Sequence, residues 1–88
     1  MRITQHILDL RVDLLNKTLD RPMVPYTRVD GRLTPNAGNF HLSNQYGGWE
    51  LCEMVASGGS RDVFQNGHMP KRDLFDRICA MMEGINVS

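Results

Sequence analysis

The sequence predicts an α+β fold, a two-layer sandwich in which a three- to four-stranded antiparallel meander is covered on one face by an N-terminal and a C-terminal helix. Three observations point there. Apolar residues recur at helical spacing near both ends of the chain, alternating apolar and polar residues fill the middle, and Asp-Gly, Gly-Gly and Asn-Gly steps punctuate the alternation. Antiparallel strands bounded by helices with one apolar stripe bury that stripe by laying the helices on the sheet. At 88 residues the chain has too little apolar surface for two cores, so residues 1–88 form a single domain. It divides into an N-terminal helix (1–20), an edge strand or arm (23–34), a meander (39–64) and a C-terminal helix (70–84).

The first helix reads from Thr4, a residue suited to the N-cap, to Leu19. Ile7, Leu8, Leu10, Arg11, Leu14, Leu15 and Leu19 mark a broad inward face; Asp9, Asp13, Lys17 and Asp20 supply the solvated one. Pro22 ends it, because the residue before a proline avoids the α region. In 23–34, Val24, Tyr26 and Thr27 suit a strand, while Pro22 and Pro25 lack ladder donors and confine the segment to an edge or an extended arm. Asp30-Gly31 is a turn signal from which Arg32-Leu33-Thr34 returns as a short strand.

The meander centres on a hairpin from Asn39 to Val55. A two-residue loop at Tyr46-Gly47 pairs Leu42 with Leu51 and His41 with Cys52, and a four-residue loop shifts the partners without exchanging the faces. Either register buries Phe40, Leu42, Trp49, Leu51 and Val55, and turns His41, Ser43, Glu50, Cys52 and Met54 to the other side. After Ser57-Gly58-Gly59-Ser60 comes a short third strand, Arg61 to Phe64. Its favoured register opposes Val55 to Val63, with a glycine at hand for a bulge. Pro70 opens the last helix at its first position. Leu74, Phe75, Ile78, Cys79, Met81, Met82 and Ile85 form its apolar face, Asp73 and Arg77 an i,i+4 pair, and Gly84 its stop.

Ten basic and ten acidic residues balance, so no net field draws the chain to nucleic acid, and weak self-repulsion leaves self-association as a homo-oligomer open. The apolar runs are far short of the ~20 residues that span a bilayer, and Asp9, Arg11 and Asp13 interrupt any secretory h-region. Two cysteines without signs of secretion predict reduced thiols and a cytoplasmic location.

No constellation reaches the specificity of a catalytic motif. His41 and Cys52 fall opposite each other, as a thiol nucleophile and its base would, but no third residue or oxyanion donor accompanies them. His6, His41, His68, Cys52 and Cys79 lack the paired spacing of a metal site, and Gly47-Gly48 and Gly58-Gly59 are hairpin tips rather than phosphate loops. The reading is therefore of no cofactor and no metal. Arg61, Lys71 and Arg72 are the candidate contacts for an anion or nucleic acid, thinned by Asp62, Asp73 and Asp76. The candidate interaction surface is His41, Ser43, Glu50, Cys52 and Met54, with Cys52, Met54 and the Val24-Tyr26 arm expected as an exposed apolar patch.

The runs Gly38-Asn39-Phe40-His41-Leu42, Tyr46-Gly47-Gly48-Trp49-Glu50-Leu51, Gly58-Gly59, Arg61-Asp62-Val63-Phe64, and Gly67-His68 with Lys71-Arg72-Asp73-Leu74 give the chain a further likeness. Over Gly38 to Ile85 it resembles small uncharacterised proteins carried by phages, plasmids and genomic islands of proteobacteria, a group with no established activity. The resemblance implies a compact protein that acts by binding a host or phage protein, inhibitors of defence systems included. A non-enzymatic protein-interaction module is the expected function; a nucleic-acid-binding accessory protein is the alternative.

Overall fold

The computed structural model describes residues 2–87, and the side chains of 2–85. Met1 and Ser88, the ends of the expected domain, lie outside the described residues. The elements are α1 (Gln5–Thr18), β1 (Tyr26–Val29), β2 (Arg32–Pro35), β3 (Phe40–Gln45), β4 (Gly48–Met54), β5 (Ser60–Asp62) and α2 (Lys71–Val87). They form a three-stranded antiparallel sheet of order β3-β4-β5 and a separate antiparallel ribbon of β1 and β2. The α+β class, the meander and both helices stand as the sequence predicts.

The core lies between the three-stranded sheet and the helices. Leu8, Val12 and Leu15 of α1 and Leu74, Ile78 and Met82 of α2 meet Phe40 of β3 and Trp49 and Leu51 of β4. Burying large side chains of this kind contributes about 1.5–3 kcal/mol each. Thr4 caps α1 as expected, its hydroxyl accepting from the Ile7 N–H at 3.2 Å.

The β3–β4 register is that of the two-residue loop, with Leu42 opposite Leu51 and His41 opposite Cys52. Tyr46 and Gly47 both take positive φ, 54° and 77°, which matches the turn to the strand twist. Gly48 is required for a different reason, since a Cβ there would sit 2.7 Å from the His68 Cβ. That close approach lets Met69 run beside Trp49, their backbones exchanging two 2.8 Å hydrogen bonds.

Several expectations are corrected. The third strand is Ser60–Asp62, not Arg61 to Phe64, and it opposes Met54 to Ser60 and Cys52 to Asp62. Val55 therefore meets Gly59, whose carbonyl accepts from its N–H at 2.9 Å, and not Val63. The chain leaves the strand because the Asp62 carboxylate accepts from the N–H groups of Phe64 and Gly67, at 3.1 and 2.8 Å, bending it locally. Val55 is only half-buried. Pro70 precedes α2, its carbonyl accepting from the Leu74 N–H, and α2 runs through Gly84 to Val87 instead of stopping there. The surface ion pair on α2 joins Arg72 to Asp76 at 3.4 Å.

The inward face of α1 is also turned relative to expectation. Leu8, Val12, Leu15 and Asn16 are buried, whereas Leu10 and Leu14 are 54% and 43% exposed. Asn16 accounts for the rotation. Its side-chain amide donates to the Phe40 carbonyl and its oxygen accepts from the Phe40 N–H, both at 2.9 Å, so it pairs with β3 as a neighbouring strand would.

Candidate interaction site

Because side chains alternate across a strand, β3 and β4 present two unlike faces. Phe40, Trp49 and Leu51 are buried toward the helices, with Leu42 half-buried against the same core. The residues singled out as an interaction surface lie on the opposite face, as the sequence predicts. Their exposure differs: His41, Ser43 and Glu50 are half-buried, but Cys52 and Met54 are only 4% and 2% exposed. The anticipated open apolar patch at Cys52 and Met54 does not form.

The cause is a polar cover. Ser60 Oγ on β5 reaches His41 Nε2 on β3 at 3.2 Å, bridging the face above the intervening β4. The Cys52 thiol donates to Glu50 Oε1 at 3.4 Å, and His68 Nε2 stands 3.8 Å from the same oxygen. At the Met54 end of β4, the backbone closes: Gly38 N–H donates to the Met54 carbonyl and Met54 N–H to the Asn39 carbonyl, each at 2.8 Å.

These surroundings set the chemistry of the His41–Cys52 pair. Burial, then the hydrogen bond to Glu50 and the charges of Glu50 and Asp62, push the Cys52 thiol up to about 12. At neutral pH it stays a thiol and a poor nucleophile. Burial lowers the His41 pKa, with the Asn39 backbone opposing the shift, and its Nε2 faces Ser60. The arrangement is that of a packed polar layer.

The candidate cationic residues separate. Arg61 is held by Glu53, with Nη2–Oε1 at 2.6 Å, and Arg21 reaches the other carboxylate oxygen at 3.1 Å. Arg21 also lies over the Phe40 ring, 5.3 Å from its centroid. Arg72 pairs with Asp76, and Lys71 is half-buried at the start of α2. Among the described residues no group of three His, Cys, Asp or Glu side chains could hold a metal ion, and no helix is long and apolar enough to cross a membrane.

Two exposed apolar surfaces stand out instead, the first of them missed by sequence reasoning. Ile7, Leu10, Arg11 and Leu14 of α1 and Phe75 of α2 line an open, mainly apolar groove of about 260 Å³, with the Arg11 guanidinium 5.2 Å from the Phe75 centroid. Leu10 and Leu14 were legible as apolar but were assigned to the core. The second is the β1–β2 ribbon with its approach, where the sequence does anticipate an exposed Val24-Tyr26 arm; every ribbon residue but Pro35 is exposed. Val29 and Leu33 are exposed there, as are Met23 and Val24 on the approach. The ribbon is tied to the body by the Tyr26 hydroxyl, which donates to the Gly58 carbonyl at 2.8 Å. At its base, Asn36 N–H donates to the Pro25 carbonyl at 2.8 Å. No protein-family model, curated protein or solved structure matches the chain.

Proposed function

We propose that the protein is a non-enzymatic interaction module that binds and occludes a second protein in the cytoplasm. The supporting observation is the apolar groove between α1 and α2. Leu10 and Leu14, one helical turn apart, face outward beside Ile7 and Phe75, where a self-sufficient fold would place polar side chains. Occlusion needs shape and apolar complementarity and no reactive group, in keeping with a Cys52 thiol held protonated beneath a polar layer. The likeness to small proteins of mobile elements makes a host or phage protein, such as a defence-system component, the expected target. Nucleic-acid binding has less support, because Arg61 is engaged by Glu53 and acidic neighbours flank Lys71 and Arg72.

The test is capture of partners from the native host by the wild-type chain and by the double variant Leu10→Glu/Leu14→Glu, which changes two exposed positions. A partner held by the first and lost by the second supports the reading. Equal capture by both moves the surface elsewhere, and retention of DNA or RNA that falls steeply with salt would replace this reading with the nucleic-acid one.

A further inference from the structure

β3 is an edge strand, with no strand beyond it among the described residues. In its antiparallel pairing with β4 the tight Tyr46-Gly47 turn makes Gln45–Gly48, Ser43–Glu50 and His41–Cys52 the hydrogen-bonded pairs. Phe40, Leu42 and Asn44 consequently direct their backbone N–H and C=O groups away from the sheet. Asn16 satisfies those of Phe40. Leu42 borders a depression at this corner and Asn44 is exposed beyond it, and open groups of this kind are a template for another strand.

The corner beside this edge has a defined chemistry. A depression of about 310 Å³ is lined by Asp9 and Asp13 of α1, Met23 and Pro25 of the arm, and His41 and Leu42 of β3, among others. Asp9 and Asp13 are exposed one turn apart, and neither is in an ion pair among the described residues. An added strand would thus have two carboxylates beside it, which selects a strand carrying a cation.

The chain itself contains such a strand. β1 pairs with β2 through a two-residue turn, Asp30-Gly31, so Thr27 and Val29 are committed to β2 while Tyr26 and Arg28 turn their backbone groups outward. The outward groups of β1 are spaced two residues apart, as are those of Leu42 and Asn44. β2 is less suited, since Pro35 at its outward position has no N–H. Arg28 of β1, opposite Leu33, supplies the cation and is in no ion pair with a described carboxylate; Arg32, opposite Val29, lies on the other face of the ribbon. A free two-stranded hairpin is marginal in water, so an exposed one gains most from a surface to rest on.

We infer that β1 of one copy adds to the open edge of β3 in a second copy, with Arg28 beside Asp9 and Asp13, to give a two-fold dimer. Met23 and Pro25, on the approach to the ribbon, border the receiving corner, and a two-fold axis beside it would have each copy extend its ribbon to the other. This doubling matters, because a stable interface buries roughly 1,200–2,000 Å² and one four-residue strand covers little of that. The inference is independent of the α1–α2 groove and of the partner proposed for it.

Solution mass from sedimentation equilibrium tests the pairing through a charge exchange. The full wild-type chain is expected at twice its 10.0 kDa mass. Arg28→Glu and Asp9→Arg/Asp13→Arg, all at exposed positions, are each expected to be monomeric alone and to form a dimer when mixed. Circular dichroism of each variant checks that it is folded. A wild-type chain that stays at 10.0 kDa to millimolar concentration overturns the proposal. So does a dimer that both charge reversals leave intact, which would place the contact at another surface such as the groove.

Discussion

The two hairpins share a turn and little else. Asp30-Gly31 in the ribbon has φ values of 51° and 80°; Tyr46-Gly47 in the main sheet has 54° and 77°. Both join strands in register through two-residue loops. Yet β4 alternates into a helix-covered core on one side and a polar layer on the other, while β1 and β2 stand almost wholly in solvent. Turn chemistry makes a hairpin, but what its faces touch decides whether that hairpin holds a fold together or remains available for binding.

The comparison is broken most forcefully by trimming one leucine from each. Leu51→Ala in β4 leaves a cavity at a fully buried site and is expected to cost about 2–5 kcal/mol in urea unfolding. Leu33→Ala, at a site 60% exposed, should change stability by no more than about 0.5 kcal/mol. Similar losses at both would mean that the ribbon is part of the cooperative core.

Asn16 gives the next largest effect. Asn16→Ala leaves a buried N–H and a buried C=O of Phe40 without partners, at about 2–4 kcal/mol together. Asn36 makes comparable hydrogen bonds at the ribbon, to the Val24 carbonyl and the Thr27 hydroxyl, but water replaces them, and Asn36→Ala should cost less than about 1 kcal/mol. A loss at Asn16 no larger than at Asn36 would remove its assigned role in setting the rotation of α1.

Thiol alkylation resolves the polar layer. With its pKa near 12 and its side chain covered, Cys52 should react with iodoacetamide at pH 8 only as the chain opens, while Cys79, half-buried on α2, reacts sooner. The raised pKa stabilises the fold fully below 9.0, the ordinary thiol value, and the contribution fades as pH rises toward about 12. Labelling of native Cys52 at the rate of a free thiol would contradict its placement.

The smallest expected effect is at His41. Its folded pKa lies below the ordinary 6.5, so the unfolded chain binds the proton first, and stability should decline as pH falls below about 6.5 until the folded imidazole also protonates. His41→Gln should flatten that part of the stability profile. An unchanged slope would assign it to other groups.

Elements that depend on local chemistry were legible in the sequence. Alternation and the Tyr46-Gly47 step placed the main hairpin and its faces, and Asp30-Gly31 placed the ribbon turn. Features decided by tertiary partners were not. A count of apolar positions puts Leu10 and Leu14 inward, and only the amide of Asn16 meeting β3 explains why Val12 and Asn16 take their place. Cys52 and Met54 sit on the predicted face, but the His41–Ser60 bridge that covers that face joins strands 19 residues apart. The turn after β4 misled for a related reason: apolar matching favoured Val63, whereas Asp62 uses its carboxylate on local N–H groups and ends the strand first.

Residue-resolved amide hydrogen exchange over a dilution series tests the contrast between the two hairpins most directly. The account predicts that β4 amides from Trp49 to Met54 stay protected at every concentration. The Thr27, Val29, Arg32 and Thr34 amides should exchange rapidly in dilute solution and slow as concentration rises and the ribbon finds its second copy. Ribbon amides as protected as those of β4 at the lowest concentration would contradict it, because the ribbon would then belong to the folded core of the isolated chain.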